Sequence, residues 1–191
     1  MRNRVLLHLA CVLPVIYWLM LAQWQQLGAN PVEFLIHDSG LWSLRILWLC
    51  LACTPLALAG WRKPLRYRRA LGLWAFGYMT VHVLLWAWFD WALDITAIYA
   101  EIIQRGFLIT GTVAWLLLIP LALTSTHASI RLLGGRWWKR IHWLVYPAAL
   151  LSIIHFVWLV KKDIREPLIY LAILGVLLGV RIWNKWATAR R

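Results

Sequence analysis

Apolar residues in this chain do not alternate with polar ones. They gather into six blocks, Val5–Ala22, Leu41–Ala59, Leu71–Phe89, Phe107–Leu123, Ile141–Val160 and Leu168–Trp183, and the stretches between hold most of the charges. A helix needs roughly 20 apolar residues to cross the hydrocarbon core of a bilayer. The blocks therefore predict an all-α, polytopic membrane protein, a six-transmembrane-helix bundle, and they use so much of the 191 residues that a single domain is expected. The first block follows Arg2 and Arg4 as a signal peptide would, but no small-x-small cleavage site closes it, so it reads as a retained span. Between the third and fourth blocks, Ile95, Ile98, Ile102 and Ile103 recur at helical spacing, which predicts an interfacial amphipathic helix within Asp90–Arg105.

Composition agrees with the pattern. A mean hydropathy of +0.69, with 63% hydrophobic and 14% charged residues, leaves too little polar cover for a soluble domain of this size. The formal charge of +13 would suggest nucleic acid in a soluble protein, but no soluble domain is present to offer a basic face; the surrounding partner is membrane lipid. The positive-inside rule explains the charge instead. With the N-terminus inside, Arg2, Arg4, Arg62, Lys63, Arg66, Arg68, Arg69, Arg131, Arg136, Lys139, Arg140, Lys185, Arg190 and Arg191 fall on the cytoplasmic side. All seven acids, Glu33, Asp38, Asp90, Asp94, Glu101, Asp163 and Glu166, fall on the other, and both termini are cytoplasmic. The acids mark Gln23–Gly40, Asp90–Arg105 and Lys161–Pro167 as the face on which an extracytoplasmic partner would dock. Trp18, Trp24, Trp61, Trp88, Trp91, Trp137, Trp138 and Trp183 lie near predicted interfaces, where an indole buries its ring and hydrates its N–H. Cys11, Cys50 and Cys53 lie within spans and read as buried small residues, since no second pair completes a four-ligand zinc site.

The chemistry rests with histidines in apolar surroundings. An imidazole in hydrocarbon is costly without a partner, and its neutral form is the commonest metal ligand. His82 lies about 18 Å from the cytoplasmic start of the third span and His155 about 22 Å into the fifth, at 1.5 Å per residue. Both spans run outward, so the two could ligate opposite faces of one haem, or each could be satisfied separately by a hydroxyl or carbonyl. His142 is about 20 Å from His155 along the axis and about 220° away in phase on a straight helix, although Pro147 lies between them and could kink it. One haem cannot use both, and a second, inner haem on His142 would lack a partner on the third span; His8 is the one apparent alternative. His37 and His127 are expected to be solvated in loops. Arg45, one turn inside span two, could snorkel or pair with a haem propionate. Gly175 and Gly179 form a G-x-x-x-G expected to seat a close intramolecular helix contact.

The basic cluster Arg62–Arg69 satisfies topology and could also hold the phosphate of a flavin mononucleotide (FMN), through Arg68 and Arg69 above all. No G-x-G-x-x-G or P-loop is present, so the chain cannot oxidise NAD(P)H unaided.

These residues fall into recognisable runs. Ala29-Asn30-Pro31-Val32-Glu33, Arg68 to Trp74 ahead of His82, Leu123-Thr124-Ser125-Thr126, Gly135-x-x-Trp138-x-x-Ile141-His142 with Tyr146, and Asp163 to Tyr170 together resemble the MsrQ family over nearly the whole chain. That family lies within the wider ferric-reductase-like transmembrane domain. The resemblance implies a haem b and FMN protein of the bacterial inner membrane, with one or two haems, and His82, His142 and His155 match the family's haem histidines. It implies electron transfer from the quinone pool or a cytoplasmic flavin reductase to a periplasmic molybdopterin-containing methionine sulfoxide reductase catalytic subunit. Such a chain is an electron-transfer subunit and not an enzyme on its own. Broader ferric reductases carry two histidines on each of two helices, whereas span three here has one. Two other readings remain: a quinol-oxidising cytochrome b subunit for another periplasmic reductase, and a haem-free metal or proton transporter.

Overall fold

The computed structural model describes residues 2–160 and 163–190; Lys161 and Lys162, part of the expected docking face, and Arg191 lie outside them. Among the described residues there are α-helices and one short 3-10 turn, and no strand. The helices are α1 (Arg2–Gln23), α2 (Pro31–Leu58), α3 (Arg68–Phe89), α4 (Ile95–Gln104), α5 (Gly106–Leu123), α6 (His127–His142), α7 (Val145–Leu159) and α8 (Arg165–Ala189). Six helical stretches are long and apolar enough to cross a membrane, with His127–Leu159 forming one of them.

Two antiparallel pairs organise the bundle. In the first, α2 starts at Pro31, behind Asn30, whose side chain accepts from the Glu33 N–H, and returns through the 3-10 turn Lys63–Tyr67 into α3. The two pack closely because small residues face each other: Ser39 and Ala75 are fully buried, and Ser43 Oγ donates to the Ala75 carbonyl at 2.9 Å. In the second pair, Ala114 of α5 and Ala148 and Ala149 of α7 are likewise fully buried. The pairs face each other as a square of α2, α3, α5 and α7, linked where Trp115 Nε1 of α5 donates to Thr80 Oγ1 of α3 at 3.1 Å. One end of the square carries both described ends of the chain and most arginines; the other carries the acids.

The remaining helices lean on this square. α1 is attached by Tyr78 Oη donating to the Cys11 carbonyl at 2.6 Å and by Trp18 Nε1 donating to Asp38 at 2.7 Å, so Trp18 is a buried clasp and not an interfacial anchor. α8 lies along α2 and α7, with Trp48 Nε1 donating to the Tyr170 carbonyl at 3.0 Å. Arg181, inside the sixth apolar block, donates to Tyr146 Oη at 2.7 Å and to the Leu51 carbonyl, while its Nε is buried with no partner among the described residues. A Cβ on Gly175 or Gly179 would meet nothing within 4 Å, so among the described residues no close helix contact is seated at the G-x-x-x-G.

Several boundaries differ from the sequence expectation, and α2 begins at Pro31 rather than at Leu41. Residues 127–142 form a helix, bent where Gly134 adopts φ 73 and ψ 150, a conformation glycine tolerates. The chain then breaks at Trp143–Leu144, so His142 closes α6 and does not open the fifth span. Pro147 stands in the first turn of α7, where its missing N–H costs no hydrogen bond; the break comes before it, and the straight-helix phase between His142 and His155 does not apply. α4 forms inside Asp90–Arg105 as expected, because Asp94 caps it by accepting from the Thr96 and Ala97 N–H groups at 2.9 and 3.1 Å.

Candidate functional site

At the acidic end the four helices of the square enclose a cavity of about 1300 Å³, roofed by Ile98, Glu101 and Ile102 of α4. His82 from α3 and His155 from α7 line opposite walls. Their ring centroids are 6.2 Å apart and their planes lie at 80°.

Each imidazole is held the same way by the neighbouring helix. His82 Nδ1 is 2.7 Å from the Ile36 carbonyl of α2, and His155 Nδ1 is 2.7 Å from the Phe107 carbonyl of α5. A carbonyl only accepts, so each Nδ1 carries the proton and donates, which leaves Nε2 with its lone pair free. One helical turn beyond each carbonyl stands a glycine. A Cβ on Gly40 would lie 3.1 Å from His82 Nδ1, and one on Gly111 would lie 2.7 Å from His155 Nδ1. The rings therefore sit in notches that only glycine opens. The chain shows no internal sequence repeat, yet carbonyl, glycine and histidine recur here as a two-fold pattern.

A metal–nitrogen bond is roughly 2 Å and a ring nitrogen is roughly 1 Å from its centroid, so two axial imidazoles place their centroids roughly 6 Å apart. The observed 6.2 Å fits. Among the described residues no cluster of three or more His, Cys, Asp or Glu could hold a bare ion. Two imidazoles at that separation, each with Nε2 free, suit an iron whose other four positions a porphyrin would fill.

Two further side chains of this cavity escaped the sequence reading. His37 belongs to α2 and not to a loop; it lines the cavity and packs on Phe156 at 6.1 Å. Arg105 is the cationic residue on its wall, paired through Nε with Glu101. Arg45, the residue expected at a propionate, is absent from that wall. Its Nε donates to Tyr170 Oη at 2.9 Å, its guanidinium lies 3.9 Å from Asp38 and from Glu166, and it covers the Trp42 ring at 5.2 Å. Through these partners Arg45 ties α2 to α8. Trp91, expected as an anchor, also lines the cavity.

A second cavity, of about 290 Å³, lies at the basic end. Arg68, Arg69, His127, Trp138 and His142 line it with apolar residues of α2, α3 and α5. His142 stacks on Trp138 at 3.8 Å, with Nδ1 3.0 Å from the Trp138 carbonyl. Trp138 Nε1 donates to the Thr124 carbonyl at 2.9 Å, so this indole builds the cavity and is no interfacial anchor. His127, at the start of α6, is thus brought to the wall that His142 occupies. His8 is not among the residues lining this cavity, and its Nδ1 accepts from Trp74 Nε1 at 2.9 Å. At about 290 Å³ this cavity is much smaller than the one that His82 and His155 line.

Comparison with known proteins follows the same lines. Residues 39–153 match the model of the ferric reductase like transmembrane component family. The chain is 46% identical to the protein-methionine-sulfoxide reductase heme-binding subunit MsrQ of Xanthomonas axonopodis pv. citri, over 98% of this chain and 91% of that protein. It is 48% identical to the MsrQ of Xanthomonas campestris pv. campestris strain 8004 over 86% of this chain and 75% of that one. It is 43% identical to the MsrQ of Polaromonas naphthalenivorans over 97% and 86%. No solved structure matches.

Proposed function

The chain belongs to the ferric-reductase-like transmembrane family and, within it, to the MsrQ heme-binding subunits, and from that premise we propose that it is the electron-carrying membrane subunit of a protein-methionine-sulfoxide reductase system. Haem b is held between His82 and His155, and supplies one-electron chemistry when bound. The observation that carries this reading is the pair of imidazoles 6.2 Å apart, each with Nδ1 tied to a carbonyl and Nε2 free. The carbonyls fix tautomer and ring direction, as groups behind metal ligands generally do. Arg105 and His37 are groups on this wall suited to the propionates.

The basic end faces the cytoplasm and the acidic end the periplasm of a bacterial inner membrane, which follows from the arginine distribution. Electrons enter from a quinol or a cytoplasmic flavin reductase and leave to a periplasmic molybdopterin-containing catalytic subunit. Arg68 and Arg69, both on the wall of the cytoplasmic cavity, are placed to bind the FMN phosphate through charge-assisted hydrogen bonds. The catalytic subunit docks over α4, which roofs the haem cavity.

The test is reoxidation. Protein reduced anaerobically is mixed with the catalytic subunit and a methionine sulfoxide peptide. The ferrous haem spectrum is expected to return to ferric only when both are present. A ferrous spectrum that persists with both added contradicts the proposed acceptor, and reoxidation by an unrelated periplasmic reductase in its place would favour the other cytochrome b reading.

A further inference from the structure

α6 presents two faces. His127, Ile130, Trp138 and His142 turn toward the smaller cavity and line it. Past the bend at Gly134, Arg136 and Arg140 each stand two residues from Trp138, about 200° of helical rotation, so the two share the opposite face one turn apart. Lys139 lies beside them, and all three are exposed. Exposed indoles border this strip at its side and at its end. Trp137 is 60% exposed with the Arg140 guanidinium 4.8 Å from its ring centroid, and Trp143 is 61% exposed with Lys185 Nζ of α8 at 4.8 Å. None of these four cations pairs with a carboxylate among the described residues, and no residue of α6 is buried.

Helix length sets this strip at the membrane surface. α7 has 15 residues, which span about 22 Å, whereas the hydrocarbon core is roughly 30 Å thick. The missing length is about five residues of helix, so the end of α6, across the break at Trp143–Leu144, completes the span and the inner edge of the core falls near Arg140. Arg136, Lys139 and Arg140 thus stand at the level of the lipid headgroups, the depth that exposed tryptophan rings favour. Cations at that depth with no acid beside them call for phosphate. A zwitterionic headgroup brings its phosphate with an ammonium that these cations repel, and an anionic headgroup carries no such penalty. Each basic residue close to an anionic surface contributes about a fivefold preference for it.

We propose that the outward face of α6 is a binding site for anionic phospholipid. The headgroup phosphates lie against Arg136, Lys139 and Arg140, and the glycerol and upper acyl chains lie against Trp137 and Trp143. Diacyl lipid is the occupant, and not soluble phosphate, because exposed indoles border the cations and the strip stands at the edge of the hydrocarbon core. The inward face of the same helix carries Trp138 and His142, so lipid held on one face steadies the wall of the smaller cavity on the other. The binding needs only that the chain spans a membrane, and it rests neither on the proposed haem nor on the electron donor.

The experiment measures retained lipid. Full-length protein is reconstituted in bilayers of equimolar phosphatidylglycerol and phosphatidylcholine, extracted in mild detergent and weighed with its bound lipids by native mass spectrometry. At least about fivefold more phosphatidylglycerol than phosphatidylcholine is expected on the wild type, unchanged by excess inorganic phosphate. Arg136→Gln, Lys139→Gln and Arg140→Gln combined should abolish that excess. A control combining Arg62→Gln, Lys63→Gln and Arg66→Gln, three exposed cations of the same end, should keep it. Both variants are compared at wild-type helix content by circular dichroism. Should the α6 variant fail to insert, Arg140→Gln alone is expected to lower retained phosphatidylglycerol about fivefold. Equal retention of both lipids by the wild type, displacement by inorganic phosphate, an excess that survives the α6 substitutions, or an equal loss in the control would each overturn the proposal.

Discussion

Gly111→Ala puts a single methyl group where His155 now sits. The new Cβ would lie 2.7 Å from Nδ1, 3.0 Å from Cε1 and 3.2 Å from Cγ, against an ordinary contact of about 3.5 Å. The ring must withdraw by about 0.8 Å, which stretches the 2.7 Å bond to the Phe107 carbonyl to roughly 3.5 Å, beyond hydrogen-bonding range. The lost bond costs about 0.5–1.5 kcal/mol. Losing the group that orients a metal-binding histidine typically lowers affinity about 10–100-fold. Gly40→Ala is milder because its closest approach is 3.1 Å, a shift of a few tenths. Gly77→Ala is the control: it adds the same methyl to α3 with nothing within 4 Å. Haem titrated into the apoprotein and followed by Soret absorbance should bind in the order Gly77→Ala equal to wild type, then Gly40→Ala, then Gly111→Ala. Wild-type affinity in Gly111→Ala would refute the notch as a determinant of imidazole position.

Four other outcomes follow from the structure. Replacing Arg68 and Arg69 with Gln should reduce FMN retained on purification, and equal flavin content would leave them as topology signals. Asp94→Ala removes the α4 cap at about 0.5–2 kcal/mol, so faster hydrogen exchange in Ile95–Gln104 is expected; unchanged exchange would show that the cap is dispensable. Arg45→Gln should lower thermal stability by loosening α2 from α8 while leaving the haem spectrum as in wild type, whereas a spectral change would return Arg45 to the haem. Electron transfer to the catalytic subunit should slow as salt rises, since steering by Glu33 and Asp90, both exposed, decays over a Debye length of about 8 Å; a rate insensitive to salt and to Glu33→Gln with Asp90→Asn would place docking elsewhere.

The six spans and the shared depth of His82 and His155 were legible because block length and helical rise are one-dimensional quantities. The grips on those histidines were not. Ile36 and Phe107 act through backbone carbonyls that any residue carries, and Gly40 and Gly111 become meaningful only once α2 is known to face α3 and α5 to face α7. Depth alone left Arg45 open between snorkelling and a propionate; its direction around α2, toward Tyr170, is a property of the fold. His37 and His127 are exposed, as their polar neighbours suggested, but both lie in helices at the edge of the cavities and not in loops. Arg181 was hidden inside an apolar block, and a charge at that depth was the signal that could have marked it.

The central claim is that one haem sits between His82 and His155 with its axial rings held nearly perpendicular. Electron paramagnetic resonance of the ferric protein, with a haem-to-protein ratio, tests it directly. The 80° between ring planes predicts a strongly anisotropic low-spin signal from about one haem per chain, lost in both His82→Ala and His155→Ala and retained in His142→Ala. Retention of full low-spin haem in either His82→Ala or His155→Ala, or a second low-spin haem that disappears only in His142→Ala, would contradict the account.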